Sequence, residues 1–349
     1  MKTLIDYWLE NVDSERIRRA IGSRGVYIWG AYCNGRTVLQ WLEKIGIGVV
    51  GFIDGHKESS VYAEKRIFRP QEILGDRDCY IIVAVVGKRA EISDYLLRYN
   101  YQKNIDYLYI SEEFPEVTIT AVKNEYRDCN GNEIIYKGEG TLQCRICLMG
   151  YNNKLIVGQG FEANSEFEIL MENGATTVVG DYFRTEGRVI IEVAALGRLE
   201  LGNNCYIMRD SRMSVKEEGT IIVGSYVTAG ERFLAIGSKN SPVTIGNDCM
   251  FSHDVTILST SGHSIFDLVK QENVANKKEK YVQIGDHVWL GKSAIVLYNS
   301  NIGKGCIVGA GSVVKGEFDE NCVIAGNLAK VVSDNCTWDR RKGIEFGDI

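Results

Sequence analysis

Proline is scarce in this chain of 349 residues, which holds only 3, and histidine is nearly as rare at 4. So little proline excludes a collagen-like triple helix, which also needs a three-residue glycine period. No apolar run approaches the ~20 residues that a membrane-spanning helix requires. The first ten residues are interrupted by Asp6 and Glu10, so they do not read as a secretory leader. Basic residues are outnumbered, 40 against 46 acidic, for a net charge of −6. That balance argues against nucleic acid or an anionic membrane as partner. The 10 cysteines, without a leader, read as reduced thiols of a cytoplasmic protein. Cys144 and Cys147 form one Cys-x-x-Cys with no second pair or histidine at zinc-finger spacing, so no metal is expected.

What the chain does have is apolar residues, 45% of the total, enough to bury a large core. It also has 37 glycines, well above the usual share of about 7%. Many of them keep a ruler. Aliphatic-glycine pairs stand at Val157-Gly158, Val179-Gly180, Leu201-Gly202, Val223-Gly224 and Ile245-Gly246, 22 residues apart each time. Later the spacing tightens: Ile284, Leu290, Val296, Ile302, Val308 and Val314 are aliphatic at every sixth position. A period of six suits neither a helix nor a strand. It suits a parallel β-helix, whose coils have three short faces with one inward aliphatic residue per face. An 18-residue interval is then one coil, and a 22-residue interval one coil with four residues bulging at a corner. Glycine after the aliphatic residue is expected to let the backbone turn through conformations costly for other residues. Cys205, Cys249 and Cys306 fall three places after that glycine and read as packed thiols at an inward corner. The ruler breaks once, between Ile245 and Ile284, where 17 extra residues predict a loop over 264–282. Long loops on regular scaffolds often carry function.

The front of the chain alternates differently. Strands over 26–29, 49–53 and 80–86 alternate with amphipathic helices over 36–45 and 89–99, which predicts a small parallel α/β sheet of the Rossmann kind. The phosphate-binding fingerprint is incomplete, with Gly30 and Gly35 flanking Tyr32 where a middle glycine would admit a pyrophosphate. Asp54 lies 24 residues after Gly30, near the place of a ribose-binding acid. A dinucleotide, a sugar nucleotide or no ligand at all remain open for this domain. The expected organisation is an α/β domain over 1–112, a linker leading into the solenoid over 113–150, the β-helix over 151–335 and a tail over 336–349.

Chemistry needs a proton acceptor, and there are few. His56 sits in the front domain beyond Asp54, and His287 occupies an outward repeat position. His253 follows an inward residue by two places and His263 stands at the base of the long loop. Either can act as a general base near neutral pH.

Three stretches then carry a resemblance: Val282-Gln-Ile-Gly-Asp-His-Val-Trp-Leu-Gly291, Ile302-Gly-Lys-Gly-Cys-Ile-Val-Gly-Ala-Gly-Ser-Val-Val314 and Ile324-Ala-Gly-Asn-Leu-Ala-Lys-Val-Val332. They resemble the hexapeptide-repeat acetyltransferases, over residues of about 150 to 335. The resemblance implies a left-handed parallel β-helix using acetyl-CoA, and a trimer with active sites between subunits. It implies His263, in Val255-Thr-Ile-Leu-Ser-Thr-Ser-Gly-His263-Ser-Ile-Phe-Asp267, as the general base, with His253 in reserve and Asp267 near the acceptor. It places Trp289 in the active site and makes the Gly291 N–H an oxyanion donor. Lys292, Gly309, Ala310 and Ser312 correspond to the coenzyme wall, and Lys330 with Lys315 to its phosphates. The match departs at Ser261, where relatives often carry an acid, and at Leu328 and Tyr298-Asn299, where they usually have proline.

The activity implied is O-acetylation of a sugar hydroxyl in a bacterial surface polysaccharide or its precursor. The front domain resembles the Rossmann-like domain preceding the β-helix in some sugar acetyltransferases. N-acetylation of a nucleotide-linked amino sugar is the alternative, and a non-catalytic scaffold the third. A carbonic-anhydrase-like site would need three histidines around zinc, commonly with a His-x4-His pair, and no two histidines here have that spacing.

Overall fold

A computed structural model of the protein describes residues 9, 12–31, 33–57, 59–75, 77–85, 89–113, 117–128, 130–263, 265–273 and 280–348. It divides into two units, residues 1–116 with 129–131, and residues 117–128 with 132–349. Among the described residues no helix is long and apolar enough to cross a membrane.

The first unit opens with helix α1 (Ser14–Ile21), capped by Asp13, whose carboxylate accepts the Arg16 N–H at 2.9 Å. Ile17 and Ile21, four residues apart, turn one face of it inward. Strand β1 (Gly25–Trp29) leads into α2 (Cys33–Lys44) and β2 (Val49–Ile53). Then come β3 (Val61–Tyr62), β4 (Lys65–Phe68), α3 (Pro70–Ile73), β5 (Cys79–Val83), α4 (Arg89–Arg98) and β6 (Tyr107–Tyr109). The sheet order is β3-β4-β2-β1-β5-β6, all parallel except β3 against β4. Every residue of β5 is buried, as a central parallel strand requires. This is the doubly wound arrangement expected from the sequence, with its switch point between β1 and β5.

The second unit is a parallel β-solenoid with three faces. Face A is built from strands such as Val189–Val193, Ser211–Val215, Leu234–Gly237 and Thr256–Leu258. Face B holds Arg198–Leu201, Thr220–Val223, Val243–Ile245 and Val282–Ile284. Face C holds Tyr206–Ile207, Thr228–Ala229, Met250–Phe251 and Trp289–Leu290. Each strand pairs in parallel with its equivalent one coil on, as Leu199 with Ile221 and Ile221 with Val243. The aliphatic members of the ruler, Val179, Leu201, Val223, Ile245, Ile284 and Ile302, stack as a buried column inside face B. Burying each contributes roughly 1.5–3 kcal/mol.

The four surplus residues of each 22-residue coil form a tight turn where face A meets face B. Gly197, Gly219 and Ser241 close these turns by donating to Ala194, Lys216 and Ser238, at 2.8, 2.8 and 3.0 Å. The turns stack into a ridge along this AB edge, and the long loop grows from the same edge after Leu258. Where the coil shortens to 18 residues the ridge ends, and faces A and B run together as one strand, Ile295–Ile302.

The ruler glycines serve a purpose other than the expected one. None of Gly180, Gly202, Gly224 and Gly246 has a positive φ. What they lack is room. A Cβ on Gly202 would lie 2.5 Å from the backbone carbon of Gly224, and one on Gly224 would lie 2.7 Å from that of Gly246. The left-handed backbone falls two residues later, at Asn204, Tyr226, Asp248 and His287, with φ between 54° and 61°. The residue between accepts an amide from the coil before: Asn203 from Asp181, Ser225 from Asn203, Asn247 from Ser225 and Asp286 from Asn247. Cys205, Cys249 and Cys306 are buried free thiols as expected. Burial pushes the Cys249 thiol up to about 12, so it is unreactive at neutral pH.

Residues 117–150 are not a linker. Strands Val117–Val122, Glu125–Arg127, Glu133–Tyr136 and Leu142–Met149 belong to the solenoid's second unit. Glu133–Tyr136 lies parallel to Lys154–Val157, but Val117–Val122 runs antiparallel to Leu142–Met149. A coil one residue short of 22, with Lys137 where glycine would stand, hides this start from a search for the ruler. Val282, expected at the end of the loop, opens a face B strand instead.

If close backbone approach is what the ruler glycines protect, Gly202→Ala destabilises the solenoid by about 1–3 kcal/mol, the range for overpacking. Gly48→Ala, with nothing within 4 Å of the added carbon, does not. Calorimetric melting of the two variants checks this; an unchanged Gly202→Ala transition contradicts it.

Candidate active site

The loop base builds a cleft of about 660 Å³ against the AB ridge, with His263, Ser261, Thr260, Leu258 and Ile236 among its walls. Thr260 Oγ1 accepts the Gly262 N–H at 3.2 Å, and Ser261 Oγ donates to the His263 carbonyl at 3.1 Å. Ser261 thus fixes the His263 backbone. His263 is exposed, and no partner among the described residues holds either of its ring nitrogens. The loop continues as a small hairpin, Phe266–Asp267 against Glu272–Asn273. Asp267 caps its turn, accepting from Val269 and Lys270 N–H. The hairpin leaves Phe266, Leu268 and Val269 exposed, the last two at 89% and 93%.

The other three histidines are placed differently. His253 Nδ1 accepts the Glu231 N–H at 3.0 Å. A neutral ring accepting there carries its proton on Nε2, leaving no lone pair for a substrate proton. Beside it Arg232 pairs with Asp254 at 2.5 Å and holds that carboxyl below its ordinary value. His56 is an exposed residue of the first unit. His287 is covered by the returning tail: its ring stacks on Trp338 at 4.3 Å and 7°. Its Nδ1 meets Asp248 at 2.7 Å and its Nε2 meets the Trp338 carbonyl at 2.9 Å. Arg340 adds bonds to Asp248, Thr228, Tyr226 and Cys249.

The residues proposed for catalysis do not meet within one chain. His263 projects from the AB edge. Trp289 lies on face C, the opposite side of the three-sided coil, where its Nε1 donates to Ser252 Oγ at 3.2 Å. Gly291, Lys292 and Ser293 turn the edge between faces C and A, and Gly309, Ala310 and Gly311 turn it one coil on. From that edge to the AB edge face A is some five residues wide, roughly 15 Å at the usual rise of a strand.

Two parts of the expected coenzyme wall are corrected. The Gly291 N–H donates to the Val308 carbonyl of the next coil at 2.8 Å, so it is not available as an oxyanion donor. Ser312 is 1% exposed and its Oγ accepts the Gly326 N–H, so its side chain is structural. The amides of Lys292 and Ala310, both exposed residues, meet no acceptor among the described residues. Lys315 and Lys330 are exposed, Lys315 with its Nζ 4.6 Å from the Tyr298 ring. Among the described residues no three His, Cys, Asp or Glu side chains gather as metal ligands.

In the first unit the fingerprint residues have internal roles. Asp54 is 5% exposed and accepts from the amides of Ala31, His56 and Lys57 at 3.2, 2.8 and 3.0 Å. A Cβ on Gly35 would lie 2.0 Å from the Gly30 carbonyl oxygen, so packing alone accounts for glycine there. Tyr32 lies outside the described residues.

Sequence reasoning did not single out Lys216 and Lys239, which also line the cleft. They sit on the ridge turns, outside the six-residue repeat, where no periodic signal reaches. Trp338 was equally silent.

Comparisons with known proteins bear on this arrangement. Residues 281–316 match the family described as bacterial transferase hexapeptide (six repeats). The chain is 32% identical over 156 residues to a galactoside O-acetyltransferase of Lactococcus lactis, covering 43% of this chain and 72% of that one. It is 30% identical over 126 residues to a polysialic acid O-acetyltransferase of Escherichia coli, covering 36% of this chain but only 40% of that one. A crystallographically analysed polysialic acid O-acetyltransferase aligns at 22% identity and a TM-score of 0.49, over 61% of this chain and 96% of that one.

The tail contact is testable. Burial alone would raise the Asp248 carboxyl, but His287 and Arg340 together hold it below its ordinary value. A depressed folded pKa contributes stability that is full above the unfolded value, about 3.9, and is lost as pH falls through the folded one. Acidification toward pH 3, or Asp248→Asn at neutral pH, therefore lowers the hydrogen-exchange protection factors over residues 334–341, each taken against the intrinsic rate at its own pH; unchanged protection in Asp248→Asn contradicts the assignment.

Proposed function

The chain belongs to the hexapeptide-repeat family of bacterial transferases, and we propose that it is an acetyl-CoA-dependent O-acetyltransferase of a sugar hydroxyl in a surface polysaccharide or its precursor. The observation that carries this reading is His263, the histidine that lines the cleft with neither ring nitrogen engaged among the described residues. The names of the relatives, O-acetyltransferases of a galactoside and of polysialic acid, support sugar as the acceptor class.

Because His263 and the Lys292–Ala310 edge lie on different edges of the coil, a complete site needs a second copy. One chain supplies the base from its AB edge and its neighbour supplies the amides. The exposed Phe266, Leu268 and Val269 of the hairpin favour such a neighbour, since apolar tips of this kind mark association surfaces. A trimer, as in the family, closes three such sites by rotation.

In this reading His263 takes the proton from the acceptor hydroxyl as its oxygen attacks the thioester carbonyl carbon. The unpartnered Lys292 N–H, in place of Gly291, is suited to the developing oxyanion, and the Ala310 amide to the pantetheine arm. The carbon–sulfur bond then breaks, the acetyl group stays on the sugar oxygen, and the proton held by His263 passes to the departing sulfur. Lys330 and Lys315 suit the coenzyme phosphates, which a lysine meets as a point charge.

His263→Ala is expected to fold, to bind acetyl-CoA and to lose ~10²- to 10⁴-fold in transfer rate, the usual contribution of a general base. Product formed by the wild type from a mixed sugar panel should lose its acetyl group in mild base. Full activity in His263→Ala overturns the base assignment, and a base-stable amide product favours the N-acetyl alternative.

A further inference from the structure

We propose that the cleft beneath His263 takes an acceptor bearing a negative charge, a carboxylate or phosphate on or beside the sugar that is acetylated; this deepens the sugar O-acetylation reading and rests on it. The names of the relatives leave the acceptor's charge open, since they span a galactoside and polysialic acid.

Three lysines line the cleft, Lys216, Lys239 and Lys280, and among the described residues no aspartate or glutamate does. They arrive from three separate places: Lys216 opens one ridge turn, Lys239 stands in the next, and Lys280 ends the long loop. The four-residue surplus in the coils and the loop insertion thus bring them to one wall, although none lies in the repeat itself. In a chain of net charge −6 such a wall is a local reversal of sign.

Their charges are not equally available. Lys239 is paired with Glu218 at 2.5 Å. Lys280 stands 4.5 Å from the Tyr298 ring centroid, a contact that orients an ammonium without neutralising it. Lys216 has no carboxylate within ion-pair distance among the described residues. Two of the three lysines that line the cleft therefore have no carboxylate partner among the described residues. Between them Ser238, Asn240 and Thr260 supply hydroxyl and amide groups that suit sugar hydroxyls. The volume of about 660 Å³ lies within the usual range of small-molecule sites. A lysine meets carboxylate and phosphate alike as a point charge, so the wall selects charge first and geometry second.

The test uses the full chain and matched acceptors: a uronic acid methyl glycoside against its methyl ester, and a hexose phosphate against the free hexose. Binding is measured by calorimetry without acetyl-CoA, and kcat/KM is measured with it. The charged member of a pair should bind on the order of tenfold tighter or more, the effect of a charge-assisted contact. That preference should shrink with added salt, vanish in Lys216→Met/Lys280→Met and survive in Lys216→Arg/Lys280→Arg. The arm showing the larger preference identifies carboxylate or phosphate. Equal binding of charged and neutral partners, or a preference the double Met variant leaves intact, overturns the proposal. Transfer to neutral sugars with equal kcat/KM also overturns it while leaving O-acetylation standing. Charge-selective binding with no transfer to any acceptor supports the cleft and removes the O-acetylation reading.

Discussion

The architecture rests on how closely one coil's backbone lies on the next. At the ruler glycines the spacing leaves no room for a single added carbon, since a Cβ on Gly202 would lie only 2.5 Å from the Gly224 backbone carbon. That contact fixes the register of every coil to the one before it. The inward aliphatic columns then align without choice, and the amide-capping side chains at Asn203, Ser225, Asn247 and Asp286 fall into a ladder. Extra residues are accommodated instead at the edge between faces A and B, where the turns stack on one another as a ridge. The four-residue turns and the long loop therefore emerge from the same edge, and the cleft with His263 forms there.

In the proposed reading, a three-sided rod with its base on one edge and, among the described residues, unengaged amides on another carries half of each of two sites. Face A separates the two halves, and Trp289 lies on the side opposite His263. Nothing within one chain can close that distance, because the rod is filled by buried side chains. The same rigidity that places each half keeps them apart, which is why the proposed site draws its second half from a neighbouring rod. The solenoid in the proposed reading positions catalytic groups for assembly, with the exposed apolar hairpin as the surface proposed to favour it.

Much of this was legible in the sequence. The 22- and 18-residue intervals, the bulging corners, the packed cysteines and the loop all follow from spacing. So does the parallel α/β character of the front sheet, from strands that alternate with amphipathic helices. The glycine requirement was visible but its cause was not: position in sequence cannot tell a special backbone angle from a shortage of space. The solenoid's first strands, from Val117 on, escaped because one runs antiparallel and one coil is a residue short. Of the candidate site, the position of His263 at the base of the loop was legible, since it follows from the break in the ruler. The loss of the Gly291 amide to Val308, the burial of Ser312 and the lysine wall depend on which coil lies above which, so they required the structure.

The central claim is that an active site is shared between two copies of this chain. It is tested most directly by co-expressing two differently tagged inactive variants, His263→Ala and Ala310→Trp, the latter filling the exposed edge expected to hold the acyl donor. Each alone should be inactive. Purified hybrids carrying both tags should recover transfer activity, because some of their sites combine an intact base from one chain with an intact edge from the other. Hybrids that form but remain inactive would contradict the account.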